Sequence, residues 1–228
     1  MIEIFLLKID ERISDDRINT MLDCIPGSRN AMLKRFVGKK DLLRGLYSSI
    51  LIRYLVHKKL NISSEKIRFI LNEYQKPFLA GCDNFNFNIS HSGDYVACAL
   101  SGSMIGIDIQ QMRNNCFDIA ETVFAEEELE KFRMLPETEK PDFFFDLWTL
   151  KESYIKAVGL GLSLDLKSFY FNIIDNSIKL ISPHKYPCNN FKMYYVDKSY
   201  KCAVCAEQNL FPDEIKKLRI DEIAEEIL

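Results

Sequence analysis

Apolar and polar positions along this chain switch between two periods. The opening run IEIFLLKI has the compact apolar character of a strand. From about Leu42 to Leu60, within GKKDLLRGLYSSILIRYLVHKKL, apolar residues recur at helical spacing. Three strand-like runs follow, KIRFILNE, NFNFNIS and YVACALSG, with HSGD at His91–Asp94 as the turn between the last two. IGIDIQ reads as another strand and AEEELEKFRML as a helix. FFFDLWTLKESYIKAVG reads as a longer helix, with Gly159 as its C-terminal stop. Strand patterns return in KSFYFNII, SIKLIS, FKMYYVD and YKCAVCA, and the charged end DEIKKLRIDEIAEEIL is helical by composition.

The order suggests a repeat. One long helix precedes three short strands, and another precedes four. DYVACAL and SYKCAVCA are faintly alike in the two parts. The expectation is an α+β chain of two pseudo-symmetric halves, residues 1–102 and 103–228, each a long helix packed on a small, mainly antiparallel sheet. A site shared by such halves belongs in the cleft between them.

Composition narrows the function. The chain has 228 residues, 47% apolar and 28% charged, with a net charge of −3 and no long basic tract. That argues for a globular protein and against nucleic acid as the main partner. The N-terminal apolar run is too short and too charged for a signal peptide or a membrane span. The seven cysteines are scattered. CAVC, at Cys202–Cys205, has CxxC spacing, but on a strand positions three apart face opposite ways, so buried thiols are expected there rather than zinc. A reducing cytoplasm fits this usage.

The candidate chemistry lies in three stretches. In WTLKESYIKAVG, Glu152 and Lys156 are i,i+4 neighbours on one helix face. The plain reading is a surface ion pair, but the apolar FFFDLWTL before it implies a largely buried helix, and charges beside its core suggest a pocket. In IGIDIQ, Asp108 and Gln110 share one strand face, and an acid within so apolar a strand is costly unless it is paired or holds a cation. The alternatives are an edge strand with a solvated face, or Mg²⁺ held by Asp108, Gln110 and Glu152, since Mg²⁺ takes oxygen ligands, few carboxylates, water and phosphate. In NISHSGDY, the hydroxyls of Ser90 and Ser92, the turn amides and the His91 imidazole would suit a phosphate. GxSxG is absent, which removes the serine-hydrolase reading. The sequons beginning at Asn61 and Asn88 carry no weight in a cytoplasmic chain.

IGIDIQ, WTLKESYIK, FNISHSGDY and EYQKPF together resemble the 4′-phosphopantetheinyl transferases, in the larger two-half type that primes carrier proteins of fatty-acid, polyketide and peptide synthetases. The likeness runs from KRFVGKKDLLRGLYSSILIR to YKCAVCA, and the combined GxD and W-x-x-KE-x-x-x-K signature is specific. It implies transfer of the phosphopantetheine arm of coenzyme A to a serine of an apo acyl or peptidyl carrier protein, with release of adenosine 3′,5′-bisphosphate. By the same resemblance, Asp108 and Glu152 match metal-binding acids, and Gln110 stands where many relatives have a third acid. Lys156 matches a lysine on the pyrophosphate, Ser90 and His91 match phosphate-binding residues, and Lys76 and Pro77 match a loop beside the adenine and 3′-phosphate. Arg29 matches a basic residue for that phosphate, while Met32 falls where some relatives have a second base. Glu152 would be the general base, Lys156 and Asp108 the other catalytic groups, and Mg²⁺ the cofactor. The carrier would dock at residues 114–132, through Phe117, Ile119, Val123 and Phe124, unless these are core. A cytoplasmic monomer with no membrane or nucleic-acid partner is expected. Two rival readings are a Mg²⁺-dependent nucleotide phosphohydrolase and a non-catalytic CoA-binding module.

Overall fold

The structure, a computed structural model, describes residues 1–113, 117–174 and 177–227, apart from the side chains of Phe117, Leu162 and Ile227. The chain begins with strand β1 (Glu3–Lys8), then helices α1 (Asp15–Asp23), α2 (Gly27–Leu33) and α3 (Lys39–Leu60). Strands β2 (Phe69–Leu71), β3 (Pro77–Leu79), β4 (Asn86–Ser92) and β5 (Tyr95–Ser101) follow. The order then recurs: β6 (Ile105–Gln111), helices α4 (Phe117–Val123), α5 (Glu126–Met134) and α6 (Lys140–Val158), and strands β7 (Tyr170–Ile174), β8 (Ser177–Ile181), β9 (Asn190–Asp197) and β10 (Tyr200–Ala206). Strand β11 (Lys216–Leu218) and helix α7 (Ile220–Ile227) end the chain.

Local chemistry sets the helix ends. The Ser14 side chain accepts from the Arg17 N–H and caps α1. Pro141 sits in the first turn of α6, where its missing N–H costs nothing. Gly159 stops α6 at φ +82°, donating its N–H to the Ile155 carbonyl at 2.8 Å.

Topology makes the repeat explicit. In the first half β1, β5 and β4 pair antiparallel in that order, and in the second half β6, β10 and β9 do the same. The two faintly similar sequences are β5 and β10, the central strand of each triplet. α3 covers one face of the first sheet, with Leu46, Ile50 and Val96 in its core, and α6 covers one face of the second, with Leu150, Tyr154 and Ala203. The remaining faces meet in a third core that includes Ile4, Ala97, Ile107, Ile109 and Val204. Each isoleucine or valine there stabilises by roughly 1.5–3 kcal/mol on full burial, so the two halves form one α–β–β–α stack.

The structure corrects three expectations. The first half carries four strands after its long helix, because the chain reverses after Asn72 and returns as β3, paired to β2. The C-terminal segment is only partly helical: Lys216–Leu218 runs parallel to β1 with Leu7 opposite Leu218. Residues 216–227 therefore complete the first half, where Ile220 and Ile223 join its core. Composition hid this because β11 is short and rich in lysine, as an edge strand is. Third, Val123 and Phe124 are buried in the second-half core, so they are packing residues rather than a docking surface, while Ile119 is exposed. Residues 114–116 and the Phe117 side chain, also in that docking expectation, lie outside the described residues.

Gly106 fixes how β6 meets α6. A Cβ there would lie 2.1 Å from the Ser153 carbonyl oxygen and 2.3 Å from the Ala157 nitrogen, so strand and helix touch backbone to backbone. Gly106→Ala should force α6 off the sheet. We expect a lowered melting temperature and a larger loss of turnover than of ligand affinity, checked by calorimetry and kinetics on the same preparation; an unchanged melting temperature is the result that counts against this packing argument.

Candidate functional site

The halves are stitched where β4 and β6 lie side by side. Asn88, Ser90 and Ser92 alternate on β4, so all three point across the seam. Asn88 Oδ1 accepts from the Ile107 N–H at 2.9 Å, Ser90 Oγ from the Ile109 N–H at 3.3 Å and Ser92 Oγ from the Gln111 N–H at 3.0 Å. Side chains here replace the backbone ladder that would otherwise satisfy the edge of β6.

Asp108 points from this seam toward α6 and has 0% exposure. Its Oδ1 accepts from Ser90 Oγ at 2.7 Å and from Lys156 Nζ at 2.5 Å, and its Oδ2 accepts from Gln110 Nε2 at 3.1 Å. Lys156 Nζ also reaches Ser90 Oγ at 3.1 Å. The buried carboxylate is therefore paired and hydrogen-bonded, as burial requires. Gln110 completes the chain by accepting from Ser92 Oγ at 3.3 Å. Its amide nitrogen must face Asp108, since an oxygen there would meet a carboxylate unbonded.

Lys156 is thus paired with Asp108 and not with its helical neighbour Glu152. Glu152 is half-buried, and among the described residues its carboxylate has no hydrogen-bond partner. Burial raises its pKa above the ordinary 4.5; Lys156 opposes that shift and Asp108 adds to it. His91, the next β4 residue after Ser90, is exposed. Partial desolvation by the flanking chain, then the charges of Lys156 and Arg44, hold its pKa below 6.5.

A cavity of about 240 Å³ opens beside this cluster, lined by Glu152, Ile155, Lys156 and Asn88 on one side and by Tyr74, Gln75, Lys76 and Pro77 on the other. Asn72 shapes the second wall. Its Oδ1 accepts from the Tyr74 and Lys76 N–H groups at 2.9 Å each, and its Nδ2 donates to the Gly159 carbonyl at 2.9 Å. The turn is thereby tied to the end of α6, with Gln75 held at φ +67°. The Lys76 ammonium donates to the carbonyls of Ala157 at 2.8 Å and Ile105 at 3.3 Å, and burial lowers its pKa to about 8. A larger cavity, about 450 Å³, lies between the start of α6 and β9–β10 and is lined by none of the candidate residues.

The structure brings Ser90, Asp108, Gln110, Glu152 and Lys156 together, and Lys76 and Pro77 onto the facing wall. Arg29 stands apart from this cavity. Its guanidinium donates to Ser49 Oγ at 3.1 Å and contacts the Met32 sulfur, and burial lowers its pKa. Sequence reasoning missed Asn72, Tyr74 and Asn88. The alternation of Asn88, Ser90 and Ser92 is the available signal, which the sequon beginning at Asn88 obscures. It also missed Arg44, which donates to the Gly93 carbonyl at 3.1 Å beside His91 and which no spacing separates from Lys39 and Lys40. Cys202 and Cys205 are both buried and free, one in the core between the halves and the other under α6.

A sequence profile described as the 4′-phosphopantetheinyl transferase superfamily matches residues 104–205, and one described as 4′-phosphopantetheinyl transferase, N-terminal, matches residues 12–103. The chain belongs to the 4′-phosphopantetheinyl transferase superfamily. It is 34% identical over 224 residues to the 4′-phosphopantetheinyl transferase Sfp of Bacillus subtilis (strain 168), covering 97% of this chain and 99% of that protein. It is 32% identical to the 4′-phosphopantetheinyl transferase gsp of Aneurinibacillus migulanus, covering 98% of this chain and 94% of that protein. The human L-aminoadipate-semialdehyde dehydrogenase-phosphopantetheinyl transferase is 36% identical over 61% of this chain and 50% of its own length. Among the described residues, no helix of this family member is long and apolar enough to cross a membrane.

Proposed function

We propose that the protein transfers the 4′-phosphopantetheine group of coenzyme A to a serine of an apo acyl or peptidyl carrier protein in the cytoplasm, with Mg²⁺, releasing adenosine 3′,5′-bisphosphate. The observation that carries this reading is the seam itself: Asp108, Lys156 and Ser90 in mutual contact, with Lys156 and Glu152, whose carboxylate has no hydrogen-bond partner among the described residues, lining the adjoining cavity. The donor set fits a hard cation. Asp108 and Glu152 would be its oxygen ligands from the protein, and a substrate diphosphate with water would supply the rest of what Mg²⁺ requires. Bound there, Mg²⁺ supplies neutralisation of the diphosphate charge.

The chain's own groups do the rest. Lys156 donates to phosphate oxygens while the Ser90 hydroxyl stays on Asp108, and His91 and Arg44 extend the donor surface along β4. The turn at Tyr74–Pro77 walls the nucleotide side. Glu152 accepts the proton of the acceptor serine as its oxygen bonds to phosphorus and the bond to the adenosine 5′-phosphate breaks. A raised pKa suits that role, because a more basic carboxylate takes the proton more readily.

Gln110 orients Asp108 in this account, with its carbonyl oxygen engaged by Ser92. Gln110→Glu places a second carboxylate beside Asp108 and should tighten Mg²⁺ binding, while Gln110→Ala should be milder than loss of Asp108. Superimposable Mg²⁺ titrations of the wild type and the Glu variant would remove position 110 from the metal's surroundings.

The reading is tested by incubating the protein with CoA, Mg²⁺ and a panel of apo carrier proteins and weighing the products. A phosphopantetheine increment on a carrier serine is expected. Hydrolysis of CoA with no increment would mean a phosphohydrolase, and CoA binding with neither would mean a binding module.

A further inference from the structure

Asp108 already carries a cation. Its Oδ1 lies 2.5 Å from Lys156 Nζ, and the carboxylate itself has 0% exposure, so solvent screens that end of the pair little. Lys156 is not fixed in the same way. Its side chain keeps 27% exposure, it lines the adjoining cavity, and among the described residues its only other bond is to Ser90 Oγ. A four-carbon stem bearing a rotatable ammonium can therefore serve Asp108 or an anion in the cavity. Asp108 keeps two other donors, Ser90 Oγ and Gln110 Nε2, if the ammonium leaves. Glu152, one helical turn before Lys156, feels its charge but is not its ion-pair partner.

We infer that Lys156 makes divalent-cation binding conditional on a diphosphate: its ammonium opposes a second cation at Asp108, and a diphosphate in the cavity draws it away. This rests on the proposed function for placing Mg²⁺ at Asp108 and Glu152. Two cations on one buried carboxylate repel strongly, and a diphosphate removes that repulsion while adding ligands of its own. By linkage, CoA strengthens Mg²⁺ binding by the same factor as Mg²⁺ strengthens CoA binding, and Lys156 supplies part of that factor. The seam would then resist loading with metal alone and fill when metal and the diphosphate of CoA arrive together.

The test is calorimetric titration of Mg²⁺ into the wild type, Lys156→Met and Lys156→Arg, first without nucleotide and then with saturating CoA and no carrier protein. Without CoA, Lys156→Met should bind Mg²⁺ about tenfold or more tightly than the wild type, and Lys156→Arg, which keeps the charge, should not. With CoA, the wild type should gain more Mg²⁺ affinity than the Met variant does. Equal or weaker Mg²⁺ binding by Lys156→Met overturns the inference. Lys156→Gln, neutral but polar, repeats the comparison if the Met variant loses cooperative unfolding, and the same negative result there is equally decisive. A wild type that binds Mg²⁺ and CoA with this coupling yet leaves apo carriers unmodified would sink the transferase reading alone.

Discussion

Lys151→Met should cost about 3–5 kcal/mol of folding stability, the range for removing one partner of a buried ion pair. Lys151 has 0% and Glu128 1% side-chain exposure, and their charged atoms are 2.8 Å apart. Every donor of the ammonium is used: the other two go to the carbonyls of Leu166 at 2.8 Å and Phe169 at 2.7 Å. Glu128 in turn accepts from the backbone N–H groups of Phe171 at 2.9 Å and Ala125 at 3.0 Å. Burial pushes the pKa of each group toward its neutral form, and their mutual attraction opposes this. The pair therefore ties α5, α6 and the chain entering β7, and removing the lysine strands a carboxylate inside the core. In urea denaturation the double variant Lys151→Met/Glu128→Gln should lose less than Lys151→Met alone. If the double variant is worse than the single, the cost comes from packing and not from an orphaned charge.

This pair also shows why the WTLKESYIK motif is one run in the sequence and two things in the structure. Lys151 belongs to the second-half core, and Glu152 belongs to the cavity. Adjacent helix positions differ by about 100°, so two neighbouring charges can serve opposite faces. The sequence pattern could announce charges within an apolar helix but not which face each served, because Glu128 lies in another helix and the pairing is tertiary.

Much else was legible. The long helices α3 and α6, the Gly159 stop and the likeness of β5 to β10 all follow from local periodicity and turn chemistry, while the turn expected at His91–Asp94 is confined to Gly93–Asp94 because His91 and Ser92 still pair with β5. Asp108 stood out because an acid on an apolar strand needs a reason, and its reason is Lys156, contributed by a helix of the same half, together with Ser90 from the other half. What local pattern could not give was the partner in each case. It offered Glu152 for Lys156, where the fold offers Asp108. It read the chain from Asp213 onward as helix, where the free edge of β1 takes up Lys216–Leu218 as a strand. For Val123 and Phe124 it left docking contact and core both open, and the second-half core closes over them. Each miss is a contact between segments distant in sequence, for which propensity is a weak guide.

The separate placement of the motif's charges sets the second large effect. Glu152→Gln preserves shape and removes the proton acceptor, so single-turnover transfer to an apo carrier should fall roughly a hundredfold or more while CoA affinity stays nearly unchanged. Asp108→Asn should also abolish most turnover, but for a different reason. It removes the negative charge that Lys156 pairs with, and the single amide oxygen can replace only one of the two carboxylate oxygens that accept from Ser90 Oγ and Gln110 Nε2. Mg²⁺ binding should fall with it, whereas Glu152→Gln retains one oxygen for the cation. Lys156→Ala makes the third contrast: turnover and CoA affinity should drop together, because its ammonium meets the diphosphate before and during transfer. The readouts are CoA affinity by calorimetry, Mg²⁺ affinity and single-turnover rate, on variants whose circular dichroism matches the wild type. Had Glu152 and Lys156 formed a surface ion pair, either loss would cost a few tenths of a kcal/mol and little rate, at about 0.2–0.5 kcal/mol per pair. The geometry already separates the two residues, so a Glu152→Gln enzyme with wild-type turnover would move the general base elsewhere on the seam, with His91 the next titratable group beside Ser90.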